Sequence, residues 1–266
     1  MKAYLQKYNN EWFDDFVYSA KQPLLDRGFT IITFDETTLP NLIFDKDDII
    51  VGSVESTKAF FNAVNIETPK YIGYPKSLDS FYGRTIKRTR FGKITLDDLP
   101  IFIKPVYDVK LFTGFVLEKS TTLHNIGMYY SNVNPNTAVY TSEPINIVSE
   151  YRCFVHKNEL VGIKHYSGDF NIFPDISEIK SMIQKYRDES PVSYTLDIGI
   201  VSNTVTSTYL HQLDETCTVG RKKTETSFKT ILIEINDFWA IGGYGLDGKT
   251  YVRMLIDRFQ EIKNNQ

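Results

Sequence analysis

Cysteine is nearly missing from this 266-residue chain, which carries only Cys153 and Cys217, far apart in sequence. Two such residues build neither a disulfide framework nor a metal-spacing motif, so reduced thiols are expected. The four histidines, at 124, 156, 165 and 211, have no ligand spacing and no nucleophile beside them. They are read as structural or surface groups. A Gly-x-Ser-x-Gly elbow is lacking too, which removes the usual signature of a serine hydrolase. Charge of one sign is lacking: 30 Lys and Arg stand against 33 Asp and Glu, a net of −3. Nothing global therefore draws the chain to nucleic acid or to an anionic membrane. No apolar run nears the ~20 residues of a membrane-spanning helix. The opening Met1-Lys2-Ala3-Tyr4 has no signal-peptide core, so a soluble cytoplasmic protein is expected.

What is present is ordinary in bulk, 42% hydrophobic and 24% charged, enough for one large domain or two to three small ones. An apolar helical period covers 11–27, with Gly28 as a stop. Strands are predicted at 29–34 and 48–53, a helix at 55–64 and a short strand at 69–74. That rhythm predicts a small α/β unit with a parallel sheet. A polar stretch, 84–93, carries five basic residues. Short strands follow at 101–106 and 111–117, then a polar, Asn-rich stretch at 118–137. Strands at 138–142, 145–156 and 160–167, a helix at 175–188, strands at 193–202 and 228–237 and a helix at 249–263 complete a mixed α/β (α+β) chain. The Thr- and Ser-rich 203–227 contains Arg221-Lys222-Lys223. It is long for an internal connection, and so is expected to be mobile or functional.

The chemistry concentrates in Ile231-Leu232-Ile233-Glu234-Ile235-Asn236-Asp237. Alternation puts Glu234 and Asn236 on one face of an apolar strand, roughly 7 Å apart. A carboxylate and an amide oxygen so placed suit a hard cation such as Mg²⁺. In Tyr194-Thr195-Leu196-Asp197-Ile198 a second apolar strand offers Asp197. Pairing of the two strands would bring three oxygen donors together; alone, Asp197 would read as a turn cap or a partner for a nearby base. Lys104 ends the strand Ile101-Phe102-Ile103-Lys104-Pro105, where it either reaches a phosphate or guards a sheet edge. Lys110 and Gly114 follow it as weaker phosphate-covering candidates. Glu150 and Arg152 share one face of their strand. Lys164 joins them if 160–167 folds back as a hairpin, giving either a charge site for an anionic transition state or a cross-strand ion pair.

The order of five short motifs, Leu-Pro-Ile-Phe-Ile-Lys-Pro at 99–105, Ser-Glu-Pro-Ile at 142–145, Ser-Glu-Tyr-Arg at 149–152, the strand Asp197 and Ile-Glu-Ile-Asn-Asp at 233–237, resembles the ATP-grasp superfamily. It is most similar to a clade common in bacteriophages and bacteria. The resemblance covers roughly 99–266 and implies an ATP-grasp fold: a small α/β domain (1–98), then a small subdomain (99–145) and a large catalytic subdomain (146–266) that clamp ATP. It implies that Lys104 contacts phosphates, that the backbone of Glu143-Pro144-Ile145 holds adenine, and that Glu150 holds the ribose. It further implies that Asp197, Glu234 and Asn236 bind Mg²⁺, and that Arg152 and Lys164 stabilise the transferred phosphoryl group. Many family ligases carry an arginine two residues before the strand Asp, where Thr195 stands here; Arg152 is the substitute. The activity implied is ATP- and Mg²⁺-dependent ligation of a carboxylate to an amine, small molecule or peptide, through an acyl-phosphate. Two alternatives stay open. A phosphotransferase on the same scaffold would leave a stable phosphorylated product without amine. A non-enzymatic nucleotide-binding or virion module is the other, and failure to bind Mg-ATP at millimolar concentration would favour it.

Overall fold

A computed structural model describes residues 1–106, 111–120, 133–212 and 218–265, with 205–212 and 218–222 described by their backbone. Lys110, His124 and Cys217 lie outside the described residues. The chain forms two units, one from Met1–Leu78 together with Val148–Gln266, the other from Asp79–Ile147.

The first unit begins with β1 (Lys2–Tyr8), β2 (Glu11–Trp12), α1 (Asp15–Asp26), β3 (Thr30–Phe34), β4 (Ile49–Val51) and α2 (Val54–Ala63). β1 is central, parallel to β3 and β4 and antiparallel to β2. The parallel α/β layout is as expected, with two differences at its start. β1 was not anticipated, although Ala3, Tyr4, Leu5 and Gln6 are all buried in it; a strand buried on both faces shows no alternation to detect. The helix predicted from residue 11 begins at 15, because Asn9 and Asn10 take left-handed φ values of 48° and 65°. That turn folds Glu11–Trp12 back on β1. The Asp14 side chain then caps α1, accepting from the Phe16 N–H. The predicted strand at 69–74 reduces to one bridge, Gly73 to Ile235.

The same unit continues with β9 (Ile147–His156), β10 (Glu159–Gly168), α3 (Ile176–Tyr186), β11 (Ser193–Gln212), β12 (Thr218–Asp237) and α4 (Gly248–Asn264). Its sheet runs β10-β9-β11-β12. β11 and β12 are each 20 residues long and stay paired from Tyr194–Asp237 to Gln212–Thr218. The segment expected as a 203–227 connection is thus mostly ladder, as its threonines and β-branched residues favour. α3 buries Ile179, Met182, Ile183 and Tyr186, one i, i+3, i+4, i+7 stripe. α4 buries Tyr251, Val252, Leu255 and Phe259 in one core with Phe16, Val17, Ala20 and Leu24 of α1. Each such large side chain contributes about 1.5–3 kcal/mol. The helices approach closely where Gly248 meets the Ser19 carbonyl; a Cβ there would collide with it. Pro23, four residues after Ser19, has no N–H to donate back to that carbonyl.

The second unit holds β5 (Lys87–Arg90), β6 (Ile101–Pro105), β7 (Phe115–Leu117) and β8 (Ala138–Ser142), antiparallel in the order β5-β8-β6-β7. Ile103, Phe112, Leu117 and Val139 centre its core. The basic stretch 84–93 supplies an edge strand, and the strand predicted at 111–117 is limited to β7. Among the described residues no helix is long and apolar enough to cross a membrane.

Candidate functional site

The site residues of the first unit lie on one face of the β10-β9-β11-β12 sheet. Asp197 of β11 and Glu234 of β12 are direct cross-strand partners, as are Thr195 and Asn236. A β-bulge follows Asp197, and such bulges re-aim the side chains beside them. The Asn236 amide donates to Asp197 Oδ2 at 3.0 Å and to Glu234 Oε1 at 3.4 Å. The three oxygen-bearing side chains anticipated from two separate strands are therefore one cluster. Among the described residues no trio of His, Cys, Asp or Glu is arranged to hold a metal; this cluster is two carboxylates and an amide.

Arg152 of β9 closes one side of it. Its Nε and one terminal nitrogen grip Asp197 Oδ1 and Oδ2 at 2.8 and 2.7 Å, and its other terminal nitrogen reaches the Gly242 carbonyl at 3.4 Å. Arg152 and Asp197 are 7% and 4% exposed, so the pair is shielded from solvent. Burial alone would lower the guanidinium pKa; the hydrogen bonds and charge of Asp197 outweigh it and raise it. Lys164 of β10 is the cross-strand partner of Arg152, so the hairpin on which its place there depended is formed. Two residues before Arg152, Glu150 accepts a 2.8 Å hydrogen bond from the Tyr166 hydroxyl. Burial, then the charges of Asp197 and Glu150, hold that phenol far above its ordinary value, so it remains a donor.

Two contributors to this face, Tyr244 and Tyr71, were not legible in sequence, and a third, Thr195, was named there only for the arginine it replaces. Tyr244 lies under the Arg152 guanidinium, 4.7 Å from its ring centroid, and stacks on Tyr166 at 5.2 Å. It follows Gly242-Gly243 in a turn where Tyr244 and Gly245 have φ values of 44° and 76°. Tyr71 donates to Glu234 Oε2 at 2.6 Å. The hydroxyl of Thr195, buried two residues before Asp197, has no hydrogen-bond partner. The last motif residue, Asp237, serves a different end. Arg258 of α4 grips it with two nitrogens and reaches Glu261 with the third, and Glu261 accepts from the Val192 N–H. That buried network ties α4 to the ends of β11 and β12.

Residues 243–250 read Gly-Tyr-Gly-Leu-Asp-Gly-Lys-Thr, which matches the lettering of a phosphate-binding loop. The structure closes that loop to phosphate. Asp247 caps the helix, accepting from the Thr250 N–H at 2.9 Å, and its carboxylate is held below the usual range chiefly by that bond. Its negative charge occupies the end of the helix where an anion would bind.

In the second unit Lys104 lies near the end of β6 with Tyr140 of β8 as its cross-strand partner. Glu143 and Ile145 follow β8 outside any strand. The Thr85 N–H donates to Glu143 Oε2 at 2.9 Å. The Glu143 pKa lies below the ordinary carboxylate value, held there first by its own backbone N–H, against the opposing effect of burial, and further by Thr85 and the charge of Lys87.

These features can be compared with known proteins. A family model described as ATP-grasp domain, R2K clade family 2, matches residues 81–254. The chain belongs to this ATP-grasp family. No curated protein matches its sequence. Among solved structures, a D-alanine–D-alanine ligase from Bacillus anthracis aligns at TM-score 0.53 and 10% identity, over 99% of this chain and 98% of that one. A RimK domain ATP-grasp protein from Sphaerobacter thermophilus aligns at 0.54 and 10%, over 96% and 99%. D-cycloserine synthetase aligns at 0.57 and 8%, over 98% and 100%. At such identities the likeness is one of fold, and the fold is ATP-grasp.

Proposed function

We propose that this ATP-grasp protein is an ATP- and Mg²⁺-dependent carboxylate–amine ligase. The observation that carries the reading is the Asp197–Glu234–Asn236 cluster with Arg152 at its margin. All three side chains carry hard oxygens; Asn236 presents its amide nitrogen to both carboxylates, and turning that amide over puts Oδ1 in its place, so with the buried Thr195 hydroxyl on the same face the set fits a hydrated Mg²⁺. When bound, Mg²⁺ would neutralise phosphate charge and polarise the γ-phosphoryl group.

In this reading Lys104 meets the phosphates as a point charge. The backbone at Glu143 and Ile145 holds adenine, and Glu150 accepts from the ribose hydroxyls. Arg152 and Lys164, side by side on β9 and β10, balance the charge of the transferred phosphoryl group. A guanidinium carries five N–H donors, so the three bonds to Asp197 and Gly242 do not exhaust it.

A substrate carboxylate oxygen attacks the γ-phosphorus and the bond to the ADP oxygen breaks, giving an acyl-phosphate. An amine then attacks the acyl carbon, inorganic phosphate leaves with the bonding pair, and a proton is lost to give the amide. The acid and the amine are small molecules or peptide groups. ADP and phosphate release over pools of carboxylic acids and amines tests the scheme; AMP as the product refutes it. Glu234→Ala and Asn236→Ala are expected to abolish Mg²⁺-dependent turnover with the fold intact. Full ADP release by both variants refutes the metal assignment.

A further inference from the structure

The segment Pro69–Pro75 reaches the candidate metal strand from outside the sheet. β12 is the last strand in the order β10-β9-β11-β12, so its outer edge is open to a further partner. Gly73 takes that place for one residue. Its N–H donates to the Ile235 carbonyl at 3.2 Å, and the Ile235 N–H donates to the Gly73 carbonyl at 2.9 Å. Ile235 stands between Glu234 and Asn236, so the bridge is anchored at the middle of the proposed ligand pair. Gly73 needs its φ of +66° to make this turn, and a Cβ there would lie 2.6 Å from Tyr71 Cε1. Glycine is therefore required for the backbone and also for the seat of the Tyr71 ring.

So seated, Tyr71 donates its hydroxyl proton to Glu234 Oε2 at 2.6 Å. The other oxygen, Oε1, accepts only a long 3.4 Å bond from the Asn236 amide, which also donates to Asp197 at 3.0 Å. The two Glu234 oxygens thus have separate neighbours: Oε2 is held from outside the sheet, and Oε1 is turned toward the cluster. A glutamate side chain left to itself samples many rotamers and must be fixed before it can ligate. We propose that Tyr71 is a positioning residue, fixing Glu234 so that Oε1 is presented for metal binding beside Asp197 and Asn236. The inference rests on the reading of that trio as the Mg²⁺ site. The hydroxyl is not needed to dock the segment, because the two Gly73–Ile235 main-chain bonds already do so. Its bond to Oε2 acts on the carboxylate, as outer-sphere partners of metal ligands commonly do.

The test is Tyr71→Phe in the full chain, which keeps the ring in its seat and removes only the donor. Mn²⁺ binding is followed by electron paramagnetic resonance with a non-hydrolysable ATP analogue, and nucleotide affinity is measured separately in EDTA. The variant is expected to keep its melting temperature and its metal-free nucleotide affinity. Its Mn²⁺ affinity is expected to fall about 10–100-fold, the usual effect of losing an outer-sphere partner. In turnover, the KM for Mg²⁺ is expected to rise more than kcat falls. A variant that binds Mn²⁺ as tightly as the wild type overturns the inference while leaving the metal reading in place. Wild-type protein that binds no Mn²⁺ overturns the metal reading and the inference with it; Asp197→Asn serves as the control that separates the two.

Discussion

Arg152→Met takes away the guanidinium and leaves most of the side-chain stem. In the parent, two charge-assisted bonds of 2.8 and 2.7 Å join Arg152 to Asp197, and the side chains of both are less than a tenth exposed. Without the arginine, the Asp197 carboxylate stays buried with the Asn236 amide as its neighbour at 3.0 Å. Breaking a buried ion pair from one side costs about 3–5 kcal/mol, because the remaining charge has lost its compensation. For a chain of this size each kcal/mol moves the melting temperature by about 2–4 °C, so a drop of about 6–20 °C is expected. The assay is thermal unfolding by circular dichroism at neutral pH in EDTA, repeated in acid and with saturating Mg²⁺. Acid should narrow the deficit, since a buried carboxylate that has lost its guanidinium takes up a proton more readily than one gripped by it. Mg²⁺ should narrow it as well, since a cation at the oxygen cluster replaces the lost positive charge. The variant should gain more from Mg²⁺ than the wild type does. A variant as stable as its parent in EDTA refutes the claim that the pair is buried and compensating. Equal gains from Mg²⁺ in variant and parent refute the proposed link between Arg152 and a cation at the oxygen cluster.

Two further perturbations address the parts that hold the site. Arg258→Met removes the partner of buried Asp237 and releases Glu261, so it should lower stability by about 3–5 kcal/mol while the folded fraction still binds Mn²⁺; an unchanged denaturation midpoint refutes the role of that network. Burial holds the His156 imidazole below its ordinary 6.5, against the opposing pull of Asp257. Its contribution to stability is therefore complete above 6.5 and is lost as the pH falls from there through the lowered folded value. His156→Gln should flatten the acid limb of the stability–pH curve, and an identical slope in variant and parent refutes the assignment.

The parts of the site legible in sequence were those written in period two. Glu234 and Asn236 were placed on one face by alternation alone; that Asp197 joins them depended on the two apolar strands pairing, and they do. Arg152 and Lys164 came together for the same reason, across a hairpin whose turn at Lys157 and Asn158 has φ values of 51° and 64°. What alternation does not encode is an approach from another part of the chain. Tyr71 lies 163 positions before Glu234, in a segment whose strand-like lettering yields one bridge. Tyr244 is placed by a left-handed turn, a feature that glycine-rich lettering marks without saying which side chain it aims. The ladder that joins 203–212 to 218–227 was hidden for the opposite reason: its Thr- and Ser-rich lettering shows no apolar alternation, and reads as a loop.

The lettering at 243–250 shows why a short motif has to be read in its structural setting. A phosphate loop requires backbone N–H groups turned toward an open cradle at a helix start. Here the helix start exists, but Asp247 takes the Thr250 N–H and Gly248 is packed on the Ser19 carbonyl. The same eight residues instead carry Tyr244 to the Arg152 guanidinium and lead into the helix that holds Asp237 through Arg258. Their glycines serve a turn and a helix crossing, and Asp247 closes the helix end to phosphate. Strand 231–237 is consequently held from three sides, by Asp197 and Arg152 across the sheet, by Tyr71 at its edge and by Arg258 at its end. A cation entering the cluster would meet carboxylates whose orientations are already fixed, which is the condition for binding without a large cost in ordering.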